Sequence, residues 1–328
     1  MTVNLPRPLK ATCMLQPNKQ TMKSSIKTVI LALILVVSMP SMAQQLPQFT
    51  QYMYNTIAVN PAYAGSRETL NVIGLHRSQW AGFAGGPTTQ TLSVHAPLKH
   101  EKIGLGFSFI NDELGFENFT YMYGDFSYTI QLNEVSKLAF GLKAGFTAFS
   151  VDNELYTSNT NDQLISSIED RWSPNVGAGV MWLWERGYLG LSAPRLINND
   201  FVPDSPYKAL ERASYYFTGG YVFDVGLSTK FKPSFMVKAT NGATVSTDVS
   251  ANFLFFEKLW LGAAYRFNNT NGAVGIIADF QILRDWRIGY TFELPTSEIR
   301  PYTSGTHEMI IMFEIFNPRK LETSPRYY

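Results

Sequence analysis

Residues 138–147 read Leu138-Ala-Phe-Gly-Leu-Lys-Ala-Gly-Phe-Thr147, and large apolar side chains alternate there with small or polar ones. Leu138, Phe140 and Leu142 share one parity, whereas Lys143 and the glycines share the other. Successive side chains of a β-strand point to opposite faces of the sheet. The period of two therefore predicts a strand with one apolar face and one small, polar face.

The same alternation recurs in fourteen segments. Most of them are longer than the usual strand of about 5–6 residues and close to the roughly 9–11 residues that a tilted membrane strand needs. The predicted strands are 70–79, 88–95, 102–111, 120–132, 137–151, 173–184, 187–194, 214–224, 227–238, 244–255, 258–267, 273–283, 286–294 and 307–316.

The connections between these segments are sorted by length. Every second one is very short, as at 133–136, 185–187, 224–226, 256–257 and 284–285, whereas the others include 152–172, 195–213 and 295–306 and the smaller 112–119, 239–243 and 268–272. Outer-membrane barrels have short periplasmic turns and longer extracellular loops. We therefore predict an all-β, transmembrane antiparallel barrel of about fourteen strands with both chain ends on the periplasmic side. A secreted β-sandwich would show similar alternation, but it gives no reason for the sorting of loop lengths.

The composition agrees with a lipid-facing wall. Of the 328 residues 45% are hydrophobic and 14% aromatic, but only 16% are charged, against about 25% in a soluble domain. After residue 40 no run of about 18 apolar residues occurs, which excludes a polytopic helical membrane protein. We expect tryptophans near strand ends to form interfacial girdles, namely Trp172, Trp182, Trp184, Trp260 and Trp286.

The N-terminus has the pattern of a secretory signal peptide. Lys23 and Lys27 precede an apolar core over residues 28–40, and small residues follow at Ser41 and Ala43. We predict a signal peptide over residues 1–43, cleaved before Gln44, and hence export. The core is too short for the alternative, a membrane anchor. Met22 offers an alternative start, which would make residues 1–21 an upstream extension.

Removal of this peptide changes the charge balance. The first 43 residues hold five basic side chains and no acidic one, so the mature chain has 22 basic and 26 acidic groups and a net charge of −4. The lack of a basic excess argues against nucleic-acid binding. Cys13 lies in the removed segment, so the mature chain uses neither disulfides nor thiol chemistry.

The polar face of the strands predicts the contents of a lumen. We expect five charged side chains to point inward: Lys143, Arg266, Asp279, Arg287 and Glu293. Seven glycines fall mostly on the same face, namely Gly104, Gly106, Gly141, Gly145, Gly262, Gly275 and Gly289. The preferred interpretation is that a curved wall needs small residues. The alternative is a smooth inner wall for a passing or docked polypeptide.

No catalytic or metal-binding motif is present. The four histidines, His76, His95, His100 and His307, lack ligand spacing, and the common hydrolase, metalloprotease and phosphate-loop motifs do not occur. We therefore expect no enzymatic activity, no cofactor and no metal. A barrel enzyme whose serine and histidine meet in space is the least favoured alternative. Acidic residues in 152–172 leave open a Ca²⁺ site, although the EF-hand spacing is absent.

Seven stretches, in order along almost the whole mature chain, resemble one known family, the PorP/SprF proteins of Bacteroidetes type IX secretion and gliding motility. They are Gln48-Phe-Thr-Gln-Tyr-Met-Tyr-Asn55 with Asn60-Pro-Ala-Tyr-Ala-Gly-Ser66, His76-Arg-Ser-Gln-Trp-Ala-Gly-Phe83 with Gly86-Pro-Thr-Thr-Gln-Thr-Leu-Ser93, Gly104-Leu-Gly-Phe-Ser-Phe-Ile-Asn-Asp112, Pro233-Ser-Phe-Met-Val-Lys238, Trp260-Leu-Gly-Ala-Ala-Tyr-Arg266, Arg287-Ile-Gly-Tyr290 and Ser304-Gly-Thr-His-Glu308.

The resemblance implies a non-enzymatic outer-membrane barrel of the type IX protein secretion system. It implies export or surface attachment of large substrates such as gliding adhesins, and association with machinery components on the periplasmic side. The further partners are outer-membrane lipid and the secreted substrate, with the loops 152–172 and 195–213 facing the substrate. A general diffusion porin is the alternative.

The expected domain order is a periplasmic or plug segment at 44–66, the barrel at 67–316 and a periplasmic tail at 317–328. Aromatic residues of the first segment would form an exposed apolar patch unless the segment folds inward or along the barrel mouth. A disordered periplasmic leader is the alternative. We predict that this segment binds a partner through Phe49, Tyr52, Tyr54, Asn60, Pro61 and Tyr63.

Overall fold

The alternating segments form fourteen antiparallel strands in a computed structural model, which describes residues 47–98, 102–151, 171–202, 209–268 and 270–315. The strands are β1 Asn71–Ala81, β2 Thr88–Pro97, β3 Ile103–Leu114, β4 Glu117–Asn133, β5 Ser136–Val151, β6 Arg171–Trp184, β7 Gly187–Arg195, β8 Ser214–Tyr221, β9 Thr229–Thr240, β10 Ser246–Phe255, β11 Leu259–Phe267, β12 Ala273–Gln281, β13 Trp286–Pro295 and β14 Gly305–Glu314.

Each strand pairs with its sequence neighbours, and the first and last strands close the sheet. Asn71 of β1 lies opposite Glu314 of β14, and the pairing continues up to Ser78 opposite His307. Closure leaves the barrel without a free edge, as a sheet in lipid requires, because every backbone N–H and C=O must be paired there. The predicted class, a transmembrane barrel of fourteen strands, is confirmed, and the β-sandwich is excluded.

The two ends of the barrel differ. One end, here the turn end, holds the connections 98–102, 134–135, 185–186, 222–228, 256–258 and 282–285 together with residues 70 and 315. The other, the loop end, holds the remaining connections. One prediction was wrong there: the expected loop 112–119 is only the pair Gly115-Phe116, because β3 and β4 extend further than their apolar alternation. Gly115 has a φ of 60°, which a tight turn requires and glycine adopts readily.

The two faces of the wall follow the alternation. On β5 Leu142 is 62% exposed and faces outward, whereas Lys143 is 3% exposed and faces the lumen. Trp172, Trp182 and Trp286 are likewise exposed on the outer wall. The prediction that Trp260 belongs to the interfacial girdle was wrong. Its side chain is 1% exposed and faces the lumen, because it has the same inward parity as Arg266 on β11.

The described helical segments are short 3-10 turns at Thr56–Ala58, Pro61–Tyr63 and Arg300–Tyr302. Within the described ranges no helix has the length and apolar character needed to cross a membrane.

Candidate functional site

The lumen of the barrel contains the chain's own N-terminal residues. Residues 47–67, here called the lumen segment, precede β1 and are almost completely buried. Phe49, Tyr52 and Met53 are 2–3% exposed, and Ile57 and Tyr63 are 0% exposed. Because these side chains contact strands around the whole barrel, the segment forms the core of the structure.

At the loop end, carboxylates of the wall hold the start of the segment. Gln48 Nε2 donates to Asp248 Oδ2 at 2.7 Å, two residues after the first residue of β10. The backbone N–H groups of Thr50 and Gln51 donate to the two carboxylate oxygens of Glu308, at 3.0 and 2.8 Å. The Thr50 hydroxyl donates to Glu293. The buried backbone N–H groups of Thr50 and Gln51 are thus hydrogen-bonded to a charged acceptor.

These three carboxylates form ion pairs with two arginines. Arg77 pairs with Glu293 at 2.8 Å and with Glu308 at 2.9 Å. Arg266 pairs with Asp248 at 2.9 Å and with Glu293 at 3.5 Å. All five side chains are 6% exposed or less. Buried charges are tolerated only when they are paired. The five charged side chains are paired with one another, and Glu293 and Glu308 also accept hydrogen bonds from Thr50 and Gln51 of the segment.

The middle of the segment packs against apolar wall residues. Tyr52, Met53 and Tyr54 form one buried cluster with residues from five strands, namely Ile73, Leu75, Tyr216, Met236, Ile277, Ile310 and Met312. Asn55 Nδ2 donates to Thr91 Oγ1 of β2 at 3.1 Å. The segment thereby crosses from the β10–β14 side to the β2–β7 side.

Asn60 and Pro61 start the second 3-10 turn. Asn60 Oδ1 accepts the N–H of Ala62 at 3.0 Å, while its Nδ2 donates to the Val180 carbonyl of β6 at 3.3 Å. Pro61 lies at the first turn position, where its missing N–H costs nothing. Tyr63 then packs into a second cluster with wall residues Ala139, Met181, Leu183 and Tyr188.

Wall side chains also contact the backbone of the segment. Ser127 Oγ donates to the Ala64 carbonyl at 2.6 Å, and Ser192 Oγ donates to the Val59 carbonyl at 2.7 Å. The N–H of Gly65 donates to His95 Nδ1 at 3.2 Å. These contacts join residues far apart in sequence, and the only local signal for them is inward parity within the predicted strands, which Ser127, Ser192 and Glu308 share.

At the turn end, the segment is fastened by an ion pair. Arg67 pairs with Glu314, the last residue of β14, and its Nε donates to the Tyr63 hydroxyl at 2.8 Å. The lumen segment therefore runs lengthwise, from β10 residues at the loop end to Glu314 at the turn end.

Four of the seven inward glycines make room for the segment. A Cβ atom at Gly104 would overlap the backbone of Ala64, and one at Gly141 would overlap Ala62. Gly106 and Gly289 similarly face Ile57 and Gln51. The other three, Gly145, Gly262 and Gly275, face atoms of neighbouring strands. At the first four glycines the space is therefore occupied by a docked polypeptide, as the alternative interpretation expects, whereas the curvature interpretation stays a prediction for the other three.

The five predicted lumen charges all lie in the interior, each within an ion pair. Lys143 Nζ lies 2.8 Å from Asp125 Oδ1, and Arg287 Nη1 lies 3.0 Å from Asp279 Oδ1. Arg266 and Glu293 pair with each other, and Glu293 also accepts a hydrogen bond from Thr50. The six residues predicted to bind a partner all lie in the lumen segment and are buried there.

The connection between β7 and β8 folds inward instead of outward where it is described. Phe201 and Val202 are 1% and 5% exposed, and Phe201 packs against Phe119 and Phe149. Glu211 lies 3.7 Å from Arg195. This part of the expected substrate loop 195–213 therefore covers the loop end. Residues 152–170, with the expected acidic loop and Ca²⁺ site, and the tail 317–328 lie outside the described residues.

Among the described residues no group of three or more His, Cys, Asp or Glu side chains is arranged to hold a metal ion. The described interior contacts residues 47–67 through hydrogen bonds, an ion pair and aromatic packing.

Solved structures with a similar fold are outer-membrane proteins. The toluene transporter TbuX of Ralstonia pickettii superimposes with a TM-score of 0.50 at 8% identity, over 79% of this chain and 92% of that one. The outer membrane protein Omp33 of Acinetobacter baumannii gives 0.44 at 12% identity, over 76% and 98%. The toluene transporter TodX of P. putida gives 0.46 at 10% identity, over 80% and 94%. The similarity to TbuX concerns the fold alone.

Comparison with curated protein sequences gives no match. The sequence profile of one family, described as type IX secretion system membrane protein PorP/SprF, matches residues 41–313. The match includes the lumen segment and all but the last residue of the barrel wall. The chain therefore belongs to the PorP/SprF family of type IX secretion system membrane proteins.

Proposed function

We propose that this protein is a closed, non-enzymatic docking barrel that retains or helps to export large surface proteins. The family and the barrel fold make it an outer-membrane component of type IX secretion. The finer role, attachment or export of substrates such as gliding adhesins, is our proposal.

The filled lumen is the observation that supports docking over diffusion. A porin needs a water-filled path, whereas here twenty-one residues run lengthwise through the barrel and bury their aromatic side chains against its wall. Each of the five lumen charges predicted from the sequence forms an ion pair with a side chain of the wall. The porin alternative is therefore disfavoured.

The interior also supports a role without catalysis. Arg67, Arg77, Lys143, Arg266 and Arg287 are engaged in buried ion pairs, and His95, the buried histidine of β2, accepts the N–H of Gly65. A catalytic residue must reach a substrate, and these groups face protein. We assign substrate contact to the loop end and machinery contact to the turn end with the tail 317–328.

A deletion strain tests the role. We expect its large secreted adhesins to be lost from the cell surface, either retained in the periplasm or released into the medium, while growth on small solutes is unchanged. Complementation with the wild-type chain should restore surface display. Normal display in the deletion strain would overturn the proposal, and a growth defect on small solutes alone would favour the porin.

A further inference from the structure

One lysine of the barrel interior lacks an acidic partner among the described residues. Lys232 lies near the turn-end start of β9, and its side chain is 3% exposed and faces the lumen. Its Nζ atom lies over the ring of Tyr188, 5.9 Å from the ring centroid. A buried ammonium group is costly unless an opposite charge compensates it. The surroundings of Lys232 therefore call for a counter-charge.

The charged groups around Lys232 do not supply this counter-charge. Arg67, Arg287 and Asp279 act on Lys232 electrostatically, and two of the three are cations. Asp279 already pairs with Arg287 at 3.0 Å, and Arg67 pairs with Glu314. The five side chains, all buried, therefore carry three positive charges and two negative charges. The turn-end part of the interior thus has a local excess of one positive charge.

Two N–H donors of the same region also lack acceptors. Trp260 Nε1 of β11 and Arg287 Nη2 of β13 are buried and have no hydrogen-bond partner. Trp260 lies directly opposite Asp279, the partner of Arg287, in the ladder of β11 and β12. A buried donor without an acceptor costs its full desolvation penalty, and a buried indole N–H usually has a partner. Ammonium, indole and guanidinium groups are donors only, so together they call for an acceptor.

We propose that Lys232, Trp260 and Arg287 bind a small monovalent anion of the halide class, such as chloride, in the barrel interior near the turn end. One negative charge balances the local excess, and an anion accepts strong hydrogen bonds from charged donors. A water molecule would accept hydrogen bonds but leave the charge uncompensated. A divalent oxyanion would instead bring an excess of negative charge into a buried region.

Because the three donors come from three different strands, the site exists only in the folded barrel. The purified protein in detergent micelles is unfolded in urea, in mixtures of sodium chloride and sodium gluconate of constant ionic strength. Gluconate has the same charge but is too large for an enclosed site. Above the dissociation constant, each tenfold rise in chloride should lower the unfolding equilibrium constant about tenfold. An unfolding constant that is the same in all mixtures would overturn the proposal.

Lys232→Met removes the ammonium group, keeps a side chain of similar length and leaves no described carboxylate unpaired. We expect this variant to fold and to lose the dependence on chloride. Lys230→Met is the matched control on the same strand, since Lys230 lies 3.0 Å from Glu257 and its side chain is 23% exposed. The control should keep the wild-type dependence. An equal chloride dependence in Lys232→Met and in the wild type would place the anion elsewhere and overturn the site.

A measurement on the wild-type protein does not depend on the folding of the variants. Crystals grown in sodium bromide are measured at the bromine absorption edge, and we expect an anomalous peak in contact with Lys232 Nζ and Trp260 Nε1. A map without a peak at this position would contradict the proposal, whatever the variants do. Neither experiment measures adhesin display, so the outcome is separate from that of the deletion strain.

Discussion

Arg67, which ends the lumen segment, forms a buried ion pair with Glu314, the last residue of the last strand. One ion pair thus joins the lumen segment to the strand pair β1–β14, where the sheet closes. Both side chains are 5% exposed or less, so neither charge has water as an alternative partner.

We predict that Arg67→Ala destabilises the barrel by about 3–5 kcal/mol, because removal of one partner leaves a buried carboxylate unpaired. The exposed pair Lys137–Glu68 is a matched control, since its side chains are 38% and 37% exposed. Lys137→Ala should cost about 0–1 kcal/mol. The free energy of unfolding in urea measures both effects. Equal losses of unfolding free energy in the two variants would mean that the Arg67–Glu314 pair does not stabilise the closed barrel.

Gly141 tests whether the wall is shaped for the segment. A Cβ atom there would overlap the backbone of Ala62, whereas one at Gly124 would come no closer than 3.9 Å, to Ala144 O. We expect Gly141→Ala to cost about 1–3 kcal/mol through overpacking. Gly124→Ala should be nearly neutral. The folded fraction, resolved by heat-modifiable electrophoresis, reports the difference, and unchanged folding of Gly141→Ala would argue against a filled lumen.

The carboxylate of Glu308 should control access to the start of the segment. Glu308→Gln keeps the shape but replaces one of the two oxygens that accept the N–H groups of Thr50 and Gln51 with an amide NH₂. It also removes a charge that Arg77 balances. We expect proteinase K to cleave the variant between residues 44 and 55 while the wild-type segment resists.

Glu298→Gln, in the exposed connection between β13 and β14, is the control and should resist as the wild type does. Resistance of Glu308→Gln equal to that of Glu298→Gln would show that the carboxylate does not hold the segment.

Signal-peptide cleavage should be a condition for barrel closure. We predict Gln44 as the first residue of the outer-membrane protein by N-terminal sequencing, and Ala43→Leu as a variant that blocks cleavage at the small-residue site. The uncleaved precursor should stay in the inner-membrane fraction without a heat-modifiable barrel. Recovery of folded precursor in the outer membrane would contradict a requirement for cleavage.

The sequence contains enough information for the wall but not for the interior. Alternation over residues such as 138–147 is local, and it predicted all fourteen strands because a strand in lipid needs one apolar face throughout. The lumen segment has no such period: Asn55 and Asn60 are fixed by Thr91 and Val180, far away in sequence.

Two features of the interior, the position of Trp260 and the contact of Glu308 and Arg77 with Thr50, are not predicted by residue type or local sequence alone. Trp260 was assigned to an interfacial girdle from its residue type, but its parity places it among the inward residues of β11. The alternation places the charged residues Glu308 and Arg77 at inward positions. Their joint contact with Thr50 cannot be predicted from local sequence, because it depends on the pairing of β1 with β14.

Conductance of the purified protein in a planar lipid bilayer tests the central claim, that the lumen is filled by residues 47–67, most directly. A filled lumen predicts no steady current after insertion of the full-length chain, with insertion verified by protease protection of the strands. A steady open channel of porin size in the wild-type protein would contradict a closed docking barrel.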